Sequence, residues 1–333
     1  MLPKGRPENW EPPHDAFTSV FPEDWPEVAI SAIGVQIAPG GDGAGLVQAL
    51  AALFTSDGGP LHVEQSEAQE RFGFKETLFF AYWRSPEQFR QWTDQAAVRA
   101  LFGQPLTGLV GLWSETSCAA TELIDPNYSM DGVRWGFSRY VPRKLEKEHF
   151  YYGSMRRRMA GRARLPGASA GAGFAVTRNG SVIEGVSKDH SCTIRSVVGL
   201  SLCSPAQRRD FIDGVYPAYA RAADYLARSR AESGCFSARL CTEVHGAIDA
   251  GIDSSFLGYF ASLDALEAWV HNHPTHDDII ASALSVLQRH QFQMPINLGH
   301  EVLVSRPGGL HLVYNNCHAE TGLLPLLNET SGT

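Results

Sequence analysis

Histidine is concentrated in the last fifth of the chain, in segments whose spacing could support chemistry. Seven of the twelve histidines lie between residues 271 and 318, and two short segments there are His273-Pro274-Thr275-His276 and His300-Glu301-Val302. A neutral imidazole is a common protein ligand for iron, and it also titrates near neutral pH and can transfer protons. The cluster therefore indicates a ligand beside an acid-base group, with ordinary hydrogen-bonded packing as the alternative.

The local pattern predicts how these histidines are held. Pro274 ends a helix that contains Trp269, and a second helix is predicted to start near Asp277, which places His276 at the corner between two helices. His273 is the competing ligand in the same segment. His300 alternates with Val302 along a predicted strand, so its ring is expected to face an apolar interior.

A pair of similar segments, separated by 177 residues, indicates an internal duplication. Residues 81–92 and 258–269 each read as a strand that ends at a serine, Ser85 or Ser262, followed by a helix. Phe89 and Leu266 occupy the same place in these helices, and each helix has a tryptophan three residues later. The sequence therefore predicts two structurally similar halves.

The remaining elements support a mixed order of helices and strands. Strands are predicted at 28–37, 76–83, 106–115, 174–177, 181–186, 192–198, 235–244, 255–261, 301–305 and 310–315. Helices are predicted at 45–55, 86–102, 205–230, 263–272 and 277–290. Hairpin-like pairs of strands within this order favour an α+β fold over a doubly wound parallel sheet.

Composition restricts the class of protein. With 333 residues, of which 44% are hydrophobic, the chain can bury a large core and is expected to fold. A formal net charge of −8 argues against nonspecific nucleic-acid binding, which depends on basic side chains that neutralise phosphates. No apolar run reaches the length of a signal peptide or a membrane span, which predicts a cytoplasmic protein without membrane contact.

Two common cofactor classes have no motif in this chain. The six cysteines form no C-x-x-C pair and no C-x-x-C-H, which argues against a structural zinc site and against covalently attached haem. No Walker loop is present, and no G-x-G-x-x-G opens a helix after a strand. A nucleotide cofactor is therefore not expected.

Several separated stretches resemble one family, the haem-containing aldoxime dehydratases, or phenylacetaldoxime dehydratase family. The stretches are 151–158 (Tyr-Tyr-Gly-Ser-Met-Arg-Arg-Arg), 193–196 (Thr-Ile-Arg-Ser), 235–237 (Cys-Phe-Ser), 269–276 and 300–322. They stand in the family's order, and the resemblance extends from about Pro12 to Leu324. It implies an α+β barrel of two ferredoxin-like repeats, with an antiparallel sheet and surrounding helices.

The same resemblance divides the chain and assigns roles to residues. It implies an N-terminal extension at 1–27, a first half at 28–164 and a second half at 165–333 that carries the haem ligand, all within one compact domain; the stretch 165–173, rich in Gly and Ala, marks the turn between the halves. His276 corresponds to the proximal haem ligand, His300 to the distal catalytic histidine, Ser196 to the serine that hydrogen-bonds the substrate hydroxyl, and Arg158 to the catalytic arginine.

Two of these assignments have alternatives. Arg156 or Arg157 would replace Arg158 if the register shifted within the run of three arginines. The family also has a glutamate near the end of the first half, and Glu122 is the nearest carboxylate, although the local match is too loose to transfer the role.

The activity that the resemblance implies is dehydration of an aldoxime, R-CH=N-OH, to a nitrile. Ferrous haem b would bind the oxime nitrogen, Ser196 and Arg158 would orient the hydroxyl, and His300 would protonate it. A homodimer is expected. The rival hypotheses are a peroxidase-like haem oxidoreductase and a haem-binding sensor without catalysis, and the preference between aliphatic and arylalkyl substrates stays open.

Overall fold

The computed structural model describes residues 3–69, 72–167, 173–244 and 253–330. The strands are β1 (Ala16–Ser19), β2 (Glu27–Ile37), β3 (His62–Gln69), β4 (Lys75–Trp83), β5 (Val110–Ala120), β6 (Ile124–Tyr128), β7 (Arg143–Glu146), β8 (Phe174–Asn179), β9 (Val182–Ser187), β10 (Ser191–Gly199), β11 (Cys235–Glu243), β12 (Ser254–Phe260), β13 (Asn297–Ser305) and β14 (Leu310–Asn315). The helices are α1 (Ala44–Phe54), α2 (Pro86–Thr93), α3 (Ala96–Gly103), α4 (Ser154–Arg158), α5 (Pro205–Arg228), α6 (Arg230–Ser233), α7 (Leu263–Asn272), α8 (Pro274–Arg289) and α9 (Leu324–Thr330).

Within the described residues these strands form one antiparallel sheet. Its order is β7-β1-β6-β13-β10-β12-β11-β3-β4-β2-β5-β14-β9-β8. No backbone ladder joins β5 to β13 in this part of the chain, but the two strands pack together. The hydroxyls of Ser117 on β5 and Thr193 on β10 lie 2.6 Å apart. The sheet therefore curves back on itself, and the α+β class is confirmed, whereas closure of the barrel through backbone hydrogen bonds stays a prediction.

The duplication appears in the strand order. Six elements of the first half recur in the second half in the same order and with the same strand pairing. They are β2, α1, β3, β4, α2 and β5, which correspond to β10, α5, β11, β12, α7 and β13. The equivalent strands β3 and β11 pair with each other, so the two sets join through a local two-fold arrangement. Ser85 and Ser262 cap their helices as predicted, each accepting a hydrogen bond from the backbone N–H three residues later.

The two faces of the sheet have different surroundings. The inner face belongs to a core shared by both halves, with Phe80 and Trp113 from the first half and Tyr259 and Leu303 from the second. The outer face is covered by helices, by α1 to α3 in the first half and by α5, α7 and α8 in the second. Among the described residues, no helix combines the length and the apolar character needed to cross a membrane.

Several predicted boundaries were wrong. The strand predicted at 106–115 runs from Val110 to Ala120, and the helix predicted at 86–102 is divided into α2 and α3. The helix predicted to start near Asp277 begins at Pro274, because His273 caps it and proline is favoured in a first turn. Strands β1, β3, β6 and β7 were not predicted. Most of the predicted junction at 165–173 lies outside the described residues.

Close packing at Gly34 gives a test of the fold. A Cβ at this position of β2 would collide with the indole ring of Trp113, whose side chain is fully buried. We expect Gly34→Ala to lower the free energy of unfolding by about 1–3 kcal/mol, because an overpacked core must shift. Gly45→Ala is the matched control, since Gly45 lies in α1 with no atom within 4 Å of the added Cβ. It should stabilise the protein by about 0.5–1 kcal/mol. Equal denaturation midpoints for the two variants would contradict this packing.

Candidate active site

Strands β10 and β13 bring Ser196 and His300 side by side. The two residues are directly opposed in the antiparallel ladder. The neighbouring residues on this face of β10, Ile194 and Val198, belong to buried apolar clusters. The sequence predicted that the His300 ring faces an apolar interior, and the side chain is half-buried, with 26% of it exposed. Two polar side chains therefore stand together in an otherwise apolar layer on the outer face of the sheet.

Asp125 joins His300 to Arg158. The Nε and Nη2 atoms of Arg158 donate hydrogen bonds of 2.6 Å each to the two carboxylate oxygens of Asp125. The Nε2 atom of His300 lies 3.1 Å from Asp125 Oδ2 and 3.3 Å from Arg158 Nη2. The Nη1 atom of Arg158 donates to the carbonyl oxygen of Glu148 at 2.6 Å. These three side chains form a connected cluster, and the second imidazole nitrogen of His300 is not part of it.

Burial and charge act in opposite directions on Asp125. Its side chain is fully buried, which favours the neutral acid, but the nearby Arg158 and the hydrogen bond with His300 outweigh burial and lower the pKa of Asp125 below its ordinary value. The side chain of Arg158 is only 3% exposed. A bidentate contact between buried charges fixes the plane of the guanidinium. Asp125 therefore holds Arg158 in position beside His300.

The structure distinguishes among the three arginines of the run. Arg156 pairs with Asp264 and Glu267 on α7, and Arg157 is exposed. Arg158, the last residue of α4, is the one that contacts His300, and its catalytic role stays a prediction.

The carboxylate that contacts His300 and Arg158 belongs to Asp125 and not to Glu122, whose role the sequence left open. Glu122 faces Arg164 and Arg306. Asp125 takes part in the cluster, but sequence reasoning missed it because β6 contains Pro126, and a proline argues against a strand. The available signal was Arg158 itself, since a buried guanidinium requires an acidic partner.

His276 lies in the first turn of α8. His273 caps this helix by accepting a hydrogen bond from Thr275 N–H, and its ring stacks on Tyr225 with centroids 3.9 Å apart. The His276 ring packs edge-on against Trp269, with centroids 5.0 Å apart. Its Nδ1 atom is buried and has no hydrogen-bond partner among the described residues. Burial lowers the pKa of His276 to about 4, so the ring is neutral at pH 7.

Helix periodicity directs His276 toward the sheet. Residues 276, 279, 283 and 286 repeat at intervals of three and four, so they share one face of α8. Ile279 and Val286 on this face are buried, and Val286 and Ala283 pack in the same cluster as Val198 on β10. Since Val198 and Ser196 lie on the same face of β10, His276 and Ser196 belong to two facing layers, one from helix α8 and one from the sheet.

Helix α4 connects the two parts of the site. The hydroxyl of Tyr152 donates to Asp277 Oδ1 at 3.1 Å, and the N–H of Gly153 donates to His271 Nε2 at 3.2 Å. Asp277 directly follows His276, and His271 lies on the preceding helix α7. Tyr152 and Gly153 directly precede α4, and at the end of this helix Arg158 contacts Asp125 and His300. The five residues of α4 span about 8 Å, so one short segment, residues 152–158, contacts both the elements around His276 and the His300 cluster.

These residues fit a haem ligand set. A neutral imidazole with an unpartnered, buried ring nitrogen can serve as an axial ligand of iron. It faces a layer in which Ser196 and His300 supply polar groups on an apolar wall. A cavity of about 1330 Å³ lies elsewhere, between α5 and strands β3, β4 and β11. Ser196, His300 and His276 do not line it. The candidate site is therefore located from side-chain contacts and not from this cavity.

The two histidines of the H-P-T-H segment can be separated experimentally. We expect His276→Ala to lose haem or the iron-histidine stretching band, because the variant removes the imidazole whose buried Nδ1 has no hydrogen-bond partner among the described residues. His273→Ala is the matched control, since it removes a helix cap. It should cost about 0.5–2 kcal/mol of stability while haem content stays normal. Loss of the band in His273→Ala and its retention in His276→Ala would reverse the assignment.

Comparison with known proteins identifies the family. A family model described as haem-containing dehydratase matches residues 31–323. Phenylacetaldoxime dehydratase of Bacillus sp. (strain OxB-1) is 30% identical over 340 residues, covering 98% of this chain and 95% of that protein. Aliphatic aldoxime dehydratase of Pseudomonas sp. is 25% identical over 338 residues, covering 96% of this chain and 92% of that protein.

Solved structures agree on the fold. A crystal structure of an aldoxime dehydratase in complex with butyraldoxime has a TM-score of 0.83 at 23% identity, covering 94% of this chain and 89% of that one. A second aldoxime dehydratase structure also gives 0.83, at 24% identity, covering 98% of this chain and 95% of that one. Since the family model extends over most of the sequence, this chain belongs to the haem-containing dehydratase family.

Proposed function

We propose that the protein dehydrates aldoximes to nitriles and water, with ferrous haem b held by His276. The observation that carries the proposal is the cluster of Asp125, Arg158 and His300 beside Ser196, on the sheet layer that faces His276. The names of the relatives, which include a phenylacetaldoxime dehydratase and aliphatic aldoxime dehydratases, support the choice of substrate class.

The reaction requires a hydroxyl group to leave from nitrogen. Hydroxide is a poor leaving group, so the oxygen must receive a proton as the N–O bond breaks. The chemistry that bound ferrous haem supplies is coordination of the oxime nitrogen and donation of electron density toward the N–O bond. The remaining tasks, which are orientation of the hydroxyl and movement of the proton, belong to side chains of the protein.

Ser196 and His300 perform these tasks. The Ser196 hydroxyl, which has no hydrogen-bond partner among the described residues, orients the oxime oxygen. His300 donates a proton to that oxygen, and water leaves. The same imidazole then accepts the proton from the substrate carbon, so that R-CH=N-OH becomes R-C≡N and water, and His300 returns to its starting state.

Arg158 and Asp125 hold this pair in position. Because both carboxylate oxygens of Asp125 are bonded to Arg158, the guanidinium keeps one orientation, with Nη2 directed at His300. A fixed positive charge at this point stabilises negative charge on the departing oxygen without reorganisation. Exclusion of water by the surrounding apolar layer strengthens the effect.

Turnover under anaerobic conditions tests the proposed function. The haem-loaded protein, reduced with dithionite and supplied with phenylacetaldoxime or butyraldoxime, should form the nitrile without peroxide, and the ferric protein should be much less active. Nitrile formation only with peroxide would favour a peroxidase-like oxidoreductase instead. Haem binding without any turnover of either aldoxime would favour a sensor.

The roles of His300 and Ser196 predict a separation between binding and chemistry. His300→Ala and Ser196→Ala should keep normal haem content, and aldoxime should still change the haem absorbance, because neither residue is the proposed iron ligand. Nitrile formation should fall by roughly 10²- to 10³-fold in each variant. A rate within about threefold of wild type would remove that residue from the mechanism, and loss of haem in His300→Ala would exchange its role with that of His276.

Asp125 and Glu122 form a matched pair of carboxylates for a second test. We expect Asp125→Asn to keep haem but to lower kcat by roughly 10- to 100-fold, because a partner that orients a catalytic group is lost. Glu122→Gln should leave kcat within about twofold, since Glu122 faces Arg164 and Arg306 rather than the site. The opposite result, with Glu122→Gln impaired and Asp125→Asn active, would overturn the positioning role of Asp125.

A further inference from the structure

A second, smaller cavity lies on the outer face of the sheet, beneath helices α2 and α3 of the first half. It has a volume of about 330 Å³ and lies between α2, α3, β5 and the hairpin of β8 and β9. Its floor includes Phe89, Trp92 and Val98, whose side chains are buried, and Ser114, which is also buried. His311 on β14 completes one wall. A cavity of this size is in the range that binds small organic molecules.

Strand registers show that this cavity is the counterpart of the candidate active site. Phe79 and Phe256 are equivalent in the 177-residue repeat. Phe79 pairs with Ile33, which pairs in turn with Ser114. In the second half, Phe256 pairs with Ser196, which pairs with His300. Ser114 therefore occupies the position of His300.

The correspondence extends to the next strand. On β14, His311 pairs with the residue two positions after Ser114. On β6, Asp125 pairs with the residue two positions after His300. His311 therefore occupies the position of Asp125. A pair of hydrogen-bonding side chains stands at the same two positions in both halves.

The residue at the proposed axial position differs between the halves. His276 is the third residue of α8, and Val98 is the third residue of α3. Trp269 and Trp92 are equivalent in the 177-residue repeat and precede these two residues by seven and six positions, so counting from the tryptophans places Arg99 opposite His276. Trp92, Val98 and Arg99 all line the cavity, and neither valine nor arginine is among the residues that ligate haem iron. The smaller cavity thus has an aromatic wall and a polar pair but no histidine at this position.

We propose that this cavity is a second binding site, without haem, for a small neutral molecule that has an apolar body and one hydrogen-bonding end, such as a nitrile. The floor supplies apolar contact, and Ser114 and His311 supply hydrogen-bonding groups. Burial lowers the pKa of His311, so its ring is neutral at pH 7. At the rim, Arg99 is already paired with Asp94 at 2.7 Å, which disfavours an anionic ligand. The choice of a nitrile rests on the proposed function, because that reaction would supply it.

Diffraction with a brominated probe can locate the ligand. Crystals of the haem-loaded protein soaked in 4-bromophenylacetonitrile should show an anomalous bromine peak between Trp92 and His311. Calorimetry with the same compound should give a Kd below about 1 mM. A bromine peak only beside the haem would overturn the proposal, as would binding at crystal concentration only, without measurable binding in solution. A protein that fails to turn over aldoximes but shows this peak would contradict the proposed function and leave the second site supported.

Two variants test the contacts in solution. Val182 lines the cavity on β9, so Val182→Trp should fill it and abolish the calorimetric signal of this site. Ala175→Trp is the matched control, because Ala175 is exposed on the neighbouring strand and lies outside the lining. It should bind the probe normally. Ser114→Ala removes only a hydroxyl and should weaken binding by roughly 2- to 10-fold. Unchanged affinity in both Val182→Trp and Ser114→Ala would overturn the site.

Discussion

The register between β10 and β13 is the constraint on which the site depends. Arg195 and Glu301 are directly opposed in this ladder and are buried on the inner face, where Arg195 pairs with Glu64. Because side chains alternate along a strand, the next pair, Ser196 and His300, must face the covering helices. A shift of one residue would place two buried charged side chains in the apolar layer beneath the helices. The inner network therefore sets the direction of the proposed catalytic pair.

The buried network of Arg195, Glu64 and Glu301 on the inner face is close to balanced in charge. Burial alone would raise the pKa of Glu64, but Arg195 and His62 outweigh it and hold that pKa well below its ordinary value. Burial raises the pKa of Glu301 to about 7, so this carboxyl is partly protonated at neutral pH. The ionised carboxylate of Glu64 thus faces the guanidinium of Arg195. A buried ion pair adds little net stability compared with apolar packing, and its larger effect here is to exclude other registers.

The same network explains what the sequence could and could not predict. Strands with apolar residues at alternate positions were recognised, whereas β3 was missed because its inward positions are His62, Glu64 and Ser66, which are polar and yet buried. The resemblance selected Arg158 from a run of three arginines, and the fold shows that this is the arginine in contact with His300. Arg158 signalled that an acidic partner was needed, but only the fold identifies that partner as Asp125, which lies 33 residues away in the sequence. The homodimer and the cytoplasmic location remain predictions.

The two halves share a fold but differ in the proposed haem chemistry, and the lengths of their covering helices give a physical reason for this difference. The helices that cover the second half, α5 and α8, have 24 and 16 residues, whereas their counterparts α1 and α3 have 11 and 8. At about 1.5 Å per residue, α8 extends roughly 12 Å farther than α3. The longer pair can cover a layer wide enough for a porphyrin, while the short helix α3, together with α2, borders a small cavity. The proposed haem ligand His276 therefore lies in the first turn of the longer helix, whereas Val98 in the first turn of α3 lines the small cavity.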